Sequence, residues 1–152
     1  MKKTNFKLVA GIIIMGSFLQ SCKKKEEPAP APEPEIELIS VTPTTLTQYS
    51  QFIDVKIKYK DNNGDLGDAS PEVHSVEVKD SRLQNPDTYH LKPLAPSSDK
   101  NIPIEGEVTI KLNTLFLLGQ GNSEITTLKI KIKDRAGNWS NEISSPSITI
   151  NK

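Results

Sequence analysis

Apolar and polar residues alternate through much of this chain, and this period of two constrains its fold more than any other feature. In residues 53–60 the apolar side chains occupy the odd positions and the charged ones the even positions. Residues 108–112 and 128–133 repeat the alternation. Because successive side chains of a strand point to opposite faces of a sheet, the pattern predicts strands with one buried and one solvated face.

The alternation predicts about seven strands, separated by clusters of Pro, Gly, Asn and Asp. The predicted strands are residues 36–42, 53–60, 73–79, 88–92, 108–112, 128–133 and 147–151. Seven short strands within ~115 residues are typical of an all-β fold, a seven-stranded antiparallel immunoglobulin-like β-sandwich of the fibronectin type III kind. The single Cys excludes an intrachain disulfide, so the prediction concerns architecture and not membership of the antibody family.

The N-terminus has the parts of a secretory signal. Lys2, Lys3 and Lys7 precede an uncharged apolar stretch, residues 8–19, which ends close to the only cysteine, Cys22. As a helix this stretch would span about 18 Å, against a hydrocarbon core of about 30 Å, so it is too short for a membrane-spanning anchor. We therefore expect a signal peptide.

Leu19-Gln20-Ser21-Cys22 resembles the lipobox of bacterial lipoproteins. The resemblance implies cleavage before Cys22 and attachment of a diacylglyceryl group to its thiol, with fatty acyl chains such as palmitate holding the protein in a membrane. The alternative is an ordinary signal peptide in which the cysteine is incidental. Cleavage removes three Lys and no acid from 19 basic and 19 acidic residues, leaving 16 and 19. This mildly acidic balance gives no reason to expect a nucleic-acid partner.

Residues 22–35 predict an exposed linker between the lipid and the folded part. Pro occupies every second position from Pro28 to Pro34, and Pro lacks the amide hydrogen that helices and central strands need. Such a run favours an extended spacer of about 3.1 Å per residue. The chain thus divides into a signal peptide (1–21), a lipidated Cys with its Pro-rich linker (22–35) and an Ig-like β-sandwich domain (36–152).

Two further strings carry a resemblance. Residues 22–27, Cys-Lys-Lys-Lys-Glu-Glu, are similar to the export signals of Bacteroidetes-type surface lipoproteins, which implies the outer membrane and its cell-surface leaflet. Residues 134–141, DRAGNWSN, resemble a turn that is common in bacterial Ig-like and fibronectin-like domains. Together with the string 61–68, DNNGDLGD, they make the chain similar to small Ig-like lipoproteins of Bacteroidetes-type bacteria. That resemblance implies a fold and a location but no activity.

The string 61–68 also has the alternating oxygen donors of a calcium loop. Its side chains fall at positions 1, 3 and 5 of such a loop, and an acid falls at position 12. Leu66 stands where an EF-hand needs Gly, so we expect no EF-hand. The residue types favour a turn in which Asp and Asn cap their own backbone while Gly64 and Gly67 take positive φ. The alternative is a Ca²⁺ site in a sandwich loop, with Asp61, Asn63, Asp65, Asp68 and Glu72 as the candidate ligands.

An immunoglobulin-type topology places the loop 61–68 and the turn 134–141 at the same end of the sandwich. We therefore expect a binding surface there that includes Asp134, Asn138 and Trp139, with an envelope protein or a glycan as partner. Because the first strand starts at this end, a bound cation would also stiffen the junction with the linker. The alternative is an ordinary loop end without a ligand.

The remaining polar and apolar clusters favour structural roles. His74 and His90 lie in no nucleophile or zinc motif, so we predict no enzyme. The apolar run 115–118 is expected to close the bottom of the core, the alternative being an exposed partner site.

The function that these patterns favour is that of a lipid-anchored cell-envelope protein with a non-enzymatic binding or scaffolding Ig-like domain. One alternative is a carbohydrate-binding module of a glycan-uptake system, which an exposed flat row of Tyr49, Tyr89 and Trp139 would favour. The other is a small envelope hydrolase, which needs a histidine within hydrogen-bond reach of a Ser and an acid.

Overall fold

The computed structural model describes residues 31–96 and 102–152, and these residues contain ten β-strands and no helix. The prediction of an all-β chain is confirmed. The strands are β1 (Glu35–Thr42), β2 (Thr45–Thr47), β3 (Ile53–Asp61), β4 (Val76–Asp80), β5 (Asp87–Tyr89), β6 (Ile104–Leu112), β7 (Ser123–Thr126), β8 (Leu128–Ile132), β9 (Ile143–Ser144) and β10 (Ile148–Asn151).

Hydrogen bonds join the strands into three sheets, with the orders β1-β3-β6, β2-β10-β7 and β5-β4-β8-β9. The longest pairing is antiparallel, between β3 and β6, and runs from Ile53 opposite Leu112 to Asp61 opposite Ile104. The prediction that all strands are antiparallel is wrong for one pair, because β2 and β10 run parallel. Parallel partners need a long connection, which these two strands have because they lie near opposite ends of the described chain.

The alternation seen in the sequence corresponds to alternation in burial. Along β3 every odd-numbered side chain is buried, and along β8 the three apolar side chains are buried between lysines. Strands of all three sheets contribute to one apolar core, so the arrangement is sandwich-like. The buried apolar residues are Ile36, Val41, Leu46, Ile53, Val55, Ile57, Tyr59, Leu66, Val76, Val78, Leu91, Ile110, Leu112, Leu128, Ile130, Ile132, Ile148 and Ile150. Each fully buried side chain of this size contributes about 1.5–3 kcal/mol to folding.

The structure has ten strands where the alternation predicts about seven, and the difference has a local cause. The three strands without a sequence prediction, β2, β7 and β9, are two to four residues long, which is too short to display a period. Strand β6 also begins four residues earlier than predicted. Its pattern is interrupted by Gly106, where a Cβ would lie 2.8 Å from the hydroxyl oxygen of Tyr59, so the ring of Tyr59 occupies the missing side chain's space.

Strand β3 separates two ends of the domain that differ in composition. Its nine residues span roughly 26 Å at ~3.3 Å per residue. We call the end at Asp61 the tether end, because residues 31–34 lead into β1 there. We call the end at Ile53 the aromatic end, because Tyr49 and Phe116 lie next to it in the segments that precede β3 and follow β6.

Candidate functional site

The loop after β3 is organised by the side chain of Asp61, which is 0% exposed. One carboxylate oxygen accepts a hydrogen bond from the backbone N–H of Asn63 at 3.1 Å, and the other accepts from that of Asp65 at 2.8 Å. Gly64 and Gly67 have φ of 67° and 78°. A Cβ at either glycine would overlap a backbone carbonyl oxygen, 2.3 Å and 2.1 Å away. The loop therefore has the turn chemistry that the residue types favour over a calcium site.

The structure does not bring the five candidate calcium ligands together. Asn63 donates from its amide to the carbonyl of Pro32, Asp68 accepts from the backbone N–H of Ser70, and Glu72 is exposed. Within residues 31–96 and 102–152 there is no group of three or more His, Cys, Asp or Glu side chains placed to hold a metal ion. The oxygens of Asp61 and Asp68 instead hold backbone amides of their own loop.

The loop 61–68 and the turn after β8 meet at the tether end, as the sequence predicts. Leu66 and Asp134 form an isolated β-bridge, and the backbone N–H of Arg135 donates to the carbonyl of Asp65 at 3.1 Å. The guanidinium of Arg135 donates to the carbonyl of Gly67 at 3.0 Å. Arg135, which has no predicted role in the sequence analysis, thus joins the two loops.

The predicted binding surface of Asp134, Asn138 and Trp139 is largely occupied by internal contacts. Asp134 is buried and accepts from both the backbone N–H and the side-chain amide of Asn138, at 2.7 and 2.9 Å. The ring of Trp139 is half-buried, with the ammonium groups of Lys131 and Lys133 at 4.2 and 5.1 Å from its centre. These three residues shape the turn and its neighbouring sheet.

The carboxylate of Asp65 is affected by the charges of two other aspartates at the tether end. Burial raises the pKa of Asp65, and the negative charges of Asp134 and Asp61 raise it further. Arg135 opposes part of this effect. One carboxylate oxygen of Asp65 is buried and has no hydrogen-bond partner among the described residues. The ionised form of Asp65 is therefore disfavoured in the folded protein.

The linker is fastened to the same end by asparagine side chains. Asn62 donates from its amide to the carbonyl of Ala31 at 2.9 Å, and Asn63 reaches the carbonyl of Pro32 at 3.3 Å. Pro34 is buried. The side-chain amide of Asn141 accepts a hydrogen bond from the N–H of Ile36 and donates one to its carbonyl, each at 2.9 Å. Asn141 therefore pairs with the backbone of the second residue of β1. Side-chain amides thus do what the sequence analysis assigned to a cation.

The aromatic end contains the feature that the sequence analysis missed. Tyr49 and Phe116 stack with their ring centres 5.6 Å apart and their planes 8° from parallel. Their exposed fractions are 66% and 38%. The row of Tyr49, Tyr89 and Trp139 that would favour a glycan module does not form, because Trp139 lies at the tether end and Tyr89 is half-buried. The sequence contains one signal that could have identified this pair: residues 43–52 and 113–123, the segments that carry the two rings, have no charged side chain.

The backbone holds Tyr49 in place at some cost. Its φ is 59°, in the left-handed region, and it is the single non-glycine residue with positive φ among those described. Its N–H donates to the carbonyl of Leu115 at 3.0 Å, while Gln48 and Ser50 on either side donate to the carbonyls of Asn151 and Thr47. A left-handed conformation costs a residue with a Cβ roughly 1–2 kcal/mol, so surrounding contacts must enforce it.

The apolar run 115–118 divides between the core and the surface. Leu115 and Leu117 pack against the core, as predicted for a segment that closes it. Phe116 and Leu118 are exposed, which corresponds to the alternative of a partner site. The run therefore serves both purposes, because alternate side chains of an extended segment point in opposite directions.

An ion network supports this run from beneath. Arg82, whose side chain is 13% exposed, donates to Asp80 and Glu124 at 2.7 and 2.6 Å and to the carbonyl of Phe116 at 3.0 Å. Burial by itself raises the pKa of Asp80, but hydrogen bonds from Arg82 and Thr126 lower it overall. Glu124 accepts the backbone N–H groups of Leu118 and Gly119, and these bonds lower the pKa of Glu124.

The histidines make local contacts. A ring nitrogen of His74 lies 2.8 Å from the hydroxyl of Thr88, and one of His90 lies 3.0 Å from the carbonyl of Val73. His74 is exposed and His90 is half-buried, and neither bond involves a carboxylate. The hydrolase hypothesis needs a third group that orients the base, and no carboxylate of residues 31–96 or 102–152 makes such a hydrogen bond to either ring.

The predicted signal peptide, the lipidation site Cys22 and the linker up to residue 30 lie outside the described residues. Within the described parts of the chain, no helix has the length and apolarity that crossing a membrane requires. No protein-family model, curated protein or solved structure matches this chain.

Proposed function

We propose that this chain is a lipid-anchored protein of the bacterial outer membrane whose β domain is a non-enzymatic binding module. The lipid is attached at Cys22, the linker up to residue 35 is the stalk, and the domain presents its aromatic end away from the membrane. The partner is an envelope protein or a glycan, and no metal is part of the binding.

The observation that carries this proposal is the fastening of the linker to one end of the domain. Asn62 and Asn63 hold the carbonyls of Ala31 and Pro32, and Asn141 holds both polar groups of Ile36. The stacked rings of Tyr49 and Phe116 lie at the other end of β3. A stalk that joins one end rigidly leaves the opposite end as the surface that a ligand outside the membrane meets first.

We further propose that the ten strands form a seven-stranded immunoglobulin-like sandwich. Three pairs of strands follow each other closely and each pair counts as one interrupted strand: β1 with β2, β7 with β8, and β9 with β10. With β3, β4, β5 and β6 this gives seven. On this interpretation the sheet β1-β3-β6 faces a second layer, in which β7 continues the inner strand β8 and β10 continues the edge strand β9. The shared core of the three sheets supports it.

Of the two partner classes, the exposed aromatic pair favours a glycan, which would make the domain a glycan-binding module. The predicted row of aromatic residues is absent, but Tyr49 and Phe116 form an exposed platform whose own chain segments carry no charge. An aromatic platform with polar, uncharged neighbours is the usual composition of a site that orients a small ligand by a few hydrogen bonds.

The anchoring part of the proposal is tested with the full chain expressed in a diderm bacterium fed an alkyne-tagged fatty acid. We expect the label on the wild type and on Ser21→Ala, which keeps a small residue before the cysteine, and no label on Cys22→Ser. The labelled protein should fractionate with outer membranes. Unchanged labelling of Cys22→Ser, or wild-type protein recovered in the soluble periplasmic fraction, would overturn the lipid anchor.

We propose in addition that the domain is displayed on the cell surface, and protease treatment of intact cells tests this part. We expect the domain to be lost from intact cells, while a periplasmic marker protein survives. Survival of the domain until the outer membrane is permeabilised would place it in the periplasm-facing leaflet and overturn the surface-display part alone.

A further inference from the structure

We propose that the stacked pair Tyr49–Phe116 is a binding platform for an uncharged glycan, with one face of the pair receiving the apolar face of a sugar ring. This inference rests on the proposed function, because it names the ligand class of the same aromatic end. Four observations lead to it: the ring geometry, the backbone at Tyr49, the lack of charge in the flanking segments and the size of the platform.

The ring geometry makes one rigid surface from two side chains. The planes of Tyr49 and Phe116 are 8° from parallel and their centres are 5.6 Å apart, so the two rings are offset and together form a surface broader than one ring. Tyr49 remains 66% exposed, so most of its side chain is accessible to a ligand. An aromatic ring that is already fixed loses little conformational freedom when a ligand stacks on it.

The backbone of Tyr49 holds its ring at the surface in a conformation that a residue with a Cβ disfavours. A glycine or asparagine would adopt φ of 59° with less strain than tyrosine. Tyr49 gains no burial in return, because most of its surface is exposed. An outlier of this kind is most often found where a side chain has a task in binding.

The two chain segments that carry the rings are uncharged, in a chain of which 25% is charged. Residues 43–52 and 113–123 contain hydroxyl and amide side chains but no Asp, Glu, Lys or Arg. The charges of Arg82, Asp80 and Glu124 are directed to each other and to the backbone of Phe116 and Leu118. A ligand with an apolar face and many hydroxyl groups, and without a charge, is complementary to this composition.

The size of the platform favours a sugar over a protein partner. A stable protein–protein interface buries about 800 Å² on each side, whereas the platform consists of two rings. The neighbouring aromatic residue, Phe52, is 53% exposed but has the cationic ammonium group of Lys111 4.7 Å from its ring centre, so it differs from the stacked pair in its charge environment. Trp139 at the tether end likewise has the ammonium group of Lys131 4.2 Å from its ring centre.

The test uses the full lipidated chain in detergent micelles and native electrophoresis in gels that contain one polysaccharide each. The probes are soluble starch, a β-1,3-glucan, a mannan and a xylan as neutral glycans, and polygalacturonate as a charged one. We expect retardation in at least one neutral gel and none in the charged gel. The concentration that gives half-maximal retardation should rise at least about tenfold for Tyr49→Ala, the effect of losing one stacking partner.

Two control variants separate binding from folding. Tyr49→Phe keeps the ring and should bind within about threefold of the wild type, if stacking dominates over the hydroxyl. Tyr49→Gly removes the ring and relieves the backbone, so it should be folded and at least as stable as the wild type but should not bind. Trp139→Ala, at the other end of the domain, should bind like the wild type.

Four outcomes would overturn the inference: no retardation by any neutral glycan, retardation by polygalacturonate alone, retardation that Tyr49→Ala leaves unchanged, or self-association of the chain that Tyr49→Ala abolishes. A single envelope protein that crosslinks to the wild type and not to Tyr49→Ala, without glycan binding, would assign the platform and Leu118 to a protein partner. None of these results affects the fatty-acid labelling of Cys22. The proposed lipid anchor and the proposed ligand class can therefore be overturned independently.

Discussion

Carboxylates organise both ends of the domain, but their electrostatic states are opposite. At the aromatic end Asp80 is paired with Arg82, and the bonds from Arg82 and Thr126 lower its pKa although burial alone raises it. At the tether end burial raises the pKa of Asp65, and Asp134 and Asp61 raise it further. Ionisation of the carboxylate therefore stabilises the first end and destabilises the second.

The difference shows what each end has to provide. The aromatic end presents exposed rings on a strained backbone, so it needs a support that resists movement, and the buried ion network supplies it. At the tether end the side chains of Asp61, Asp134 and Asn141 accept hydrogen bonds from backbone N–H groups. These bonds hold the loops in place even though the carboxylate of Asp65 is repelled by its acidic neighbours. The four predictions below alter one end at a time.

The largest effect is expected when the ion network loses a member. Asp80→Asn takes from the largely buried Arg82 one of its two carboxylate partners and leaves it Glu124, a loss that we expect to cost up to about 3 kcal/mol. Urea unfolding at pH 7 measures this against Asp54→Asn, a matched change at an exposed position of β3 that should cost almost nothing. Because the pKa of Asp80 is lowered from 3.8, its contribution is present above that pH and is lost as the pH falls through its folded-state value. A cost that stays the same in acid would contradict the network's role.

A smaller effect of opposite sign is expected at Tyr49. Tyr49→Gly should raise the free energy of unfolding by about 1 kcal/mol, because glycine adopts positive φ without strain and the exposed ring contributes little burial. Tyr49→Ala keeps the strain and loses the stacking, so it should be less stable than Tyr49→Gly. Thermal unfolding of the three proteins side by side provides the measurement. Equal stability of the Gly and Ala variants would show that the backbone at residue 49 is not strained.

Sequence periodicity was sufficient for the parts of this structure where one physical effect dominates. The alternation in residues 53–60 and 128–133 identifies buried faces, and the glycines of the loop 61–68 identify the turn. The expectation that this loop lies next to Asp134 is also met. These features are local, or follow from the chain order.

The features that the sequence did not reveal depend on contacts between distant segments. Asn141 pairs with Ile36, and Arg82 joins Asp80 to Glu124. In each case the two residues that are brought together come from distant parts of the sequence, and no sequence motif links them. The stacking of Tyr49 on Phe116 likewise needs the segments before β3 and after β6 to meet. The sequence also could not decide between a calcium loop and a self-capped turn, because the same Asp-Asn spacing serves a cation or the loop's own amides, and only the direction of the side chains separates the two.

At the tether end, removing the charge of Asp65 should stabilise the protein slightly. The pKa of Asp65 is raised from 3.8, so folding favours its protonated form and stability falls as the pH rises through the folded-state value. Asp65→Asn should therefore be more stable than the wild type at pH 7, by less than about 1 kcal/mol because the residue is partly exposed. The two proteins should converge below pH 3.8, and an advantage that persists there would point to a cause other than charge.

The smallest effect is expected from calcium. The oxygens of Asp61 and Asp134 already accept backbone N–H groups, and Asp68 and Glu72 do not join them, so a cation would have to break bonds that hold the loop. A ligand present at a hundred times its dissociation constant stabilises a protein by about 2.7 kcal/mol, which shifts the unfolding midpoint by several degrees. We expect the midpoint in millimolar Ca²⁺ to equal that in excess chelator. If the midpoint rises clearly in Ca²⁺ and Asp65→Asn abolishes the rise, then Asp61, Asp65 and Asp134 rearrange around a cation. Ionised carboxylates would then stabilise the tether end as they stabilise the aromatic end.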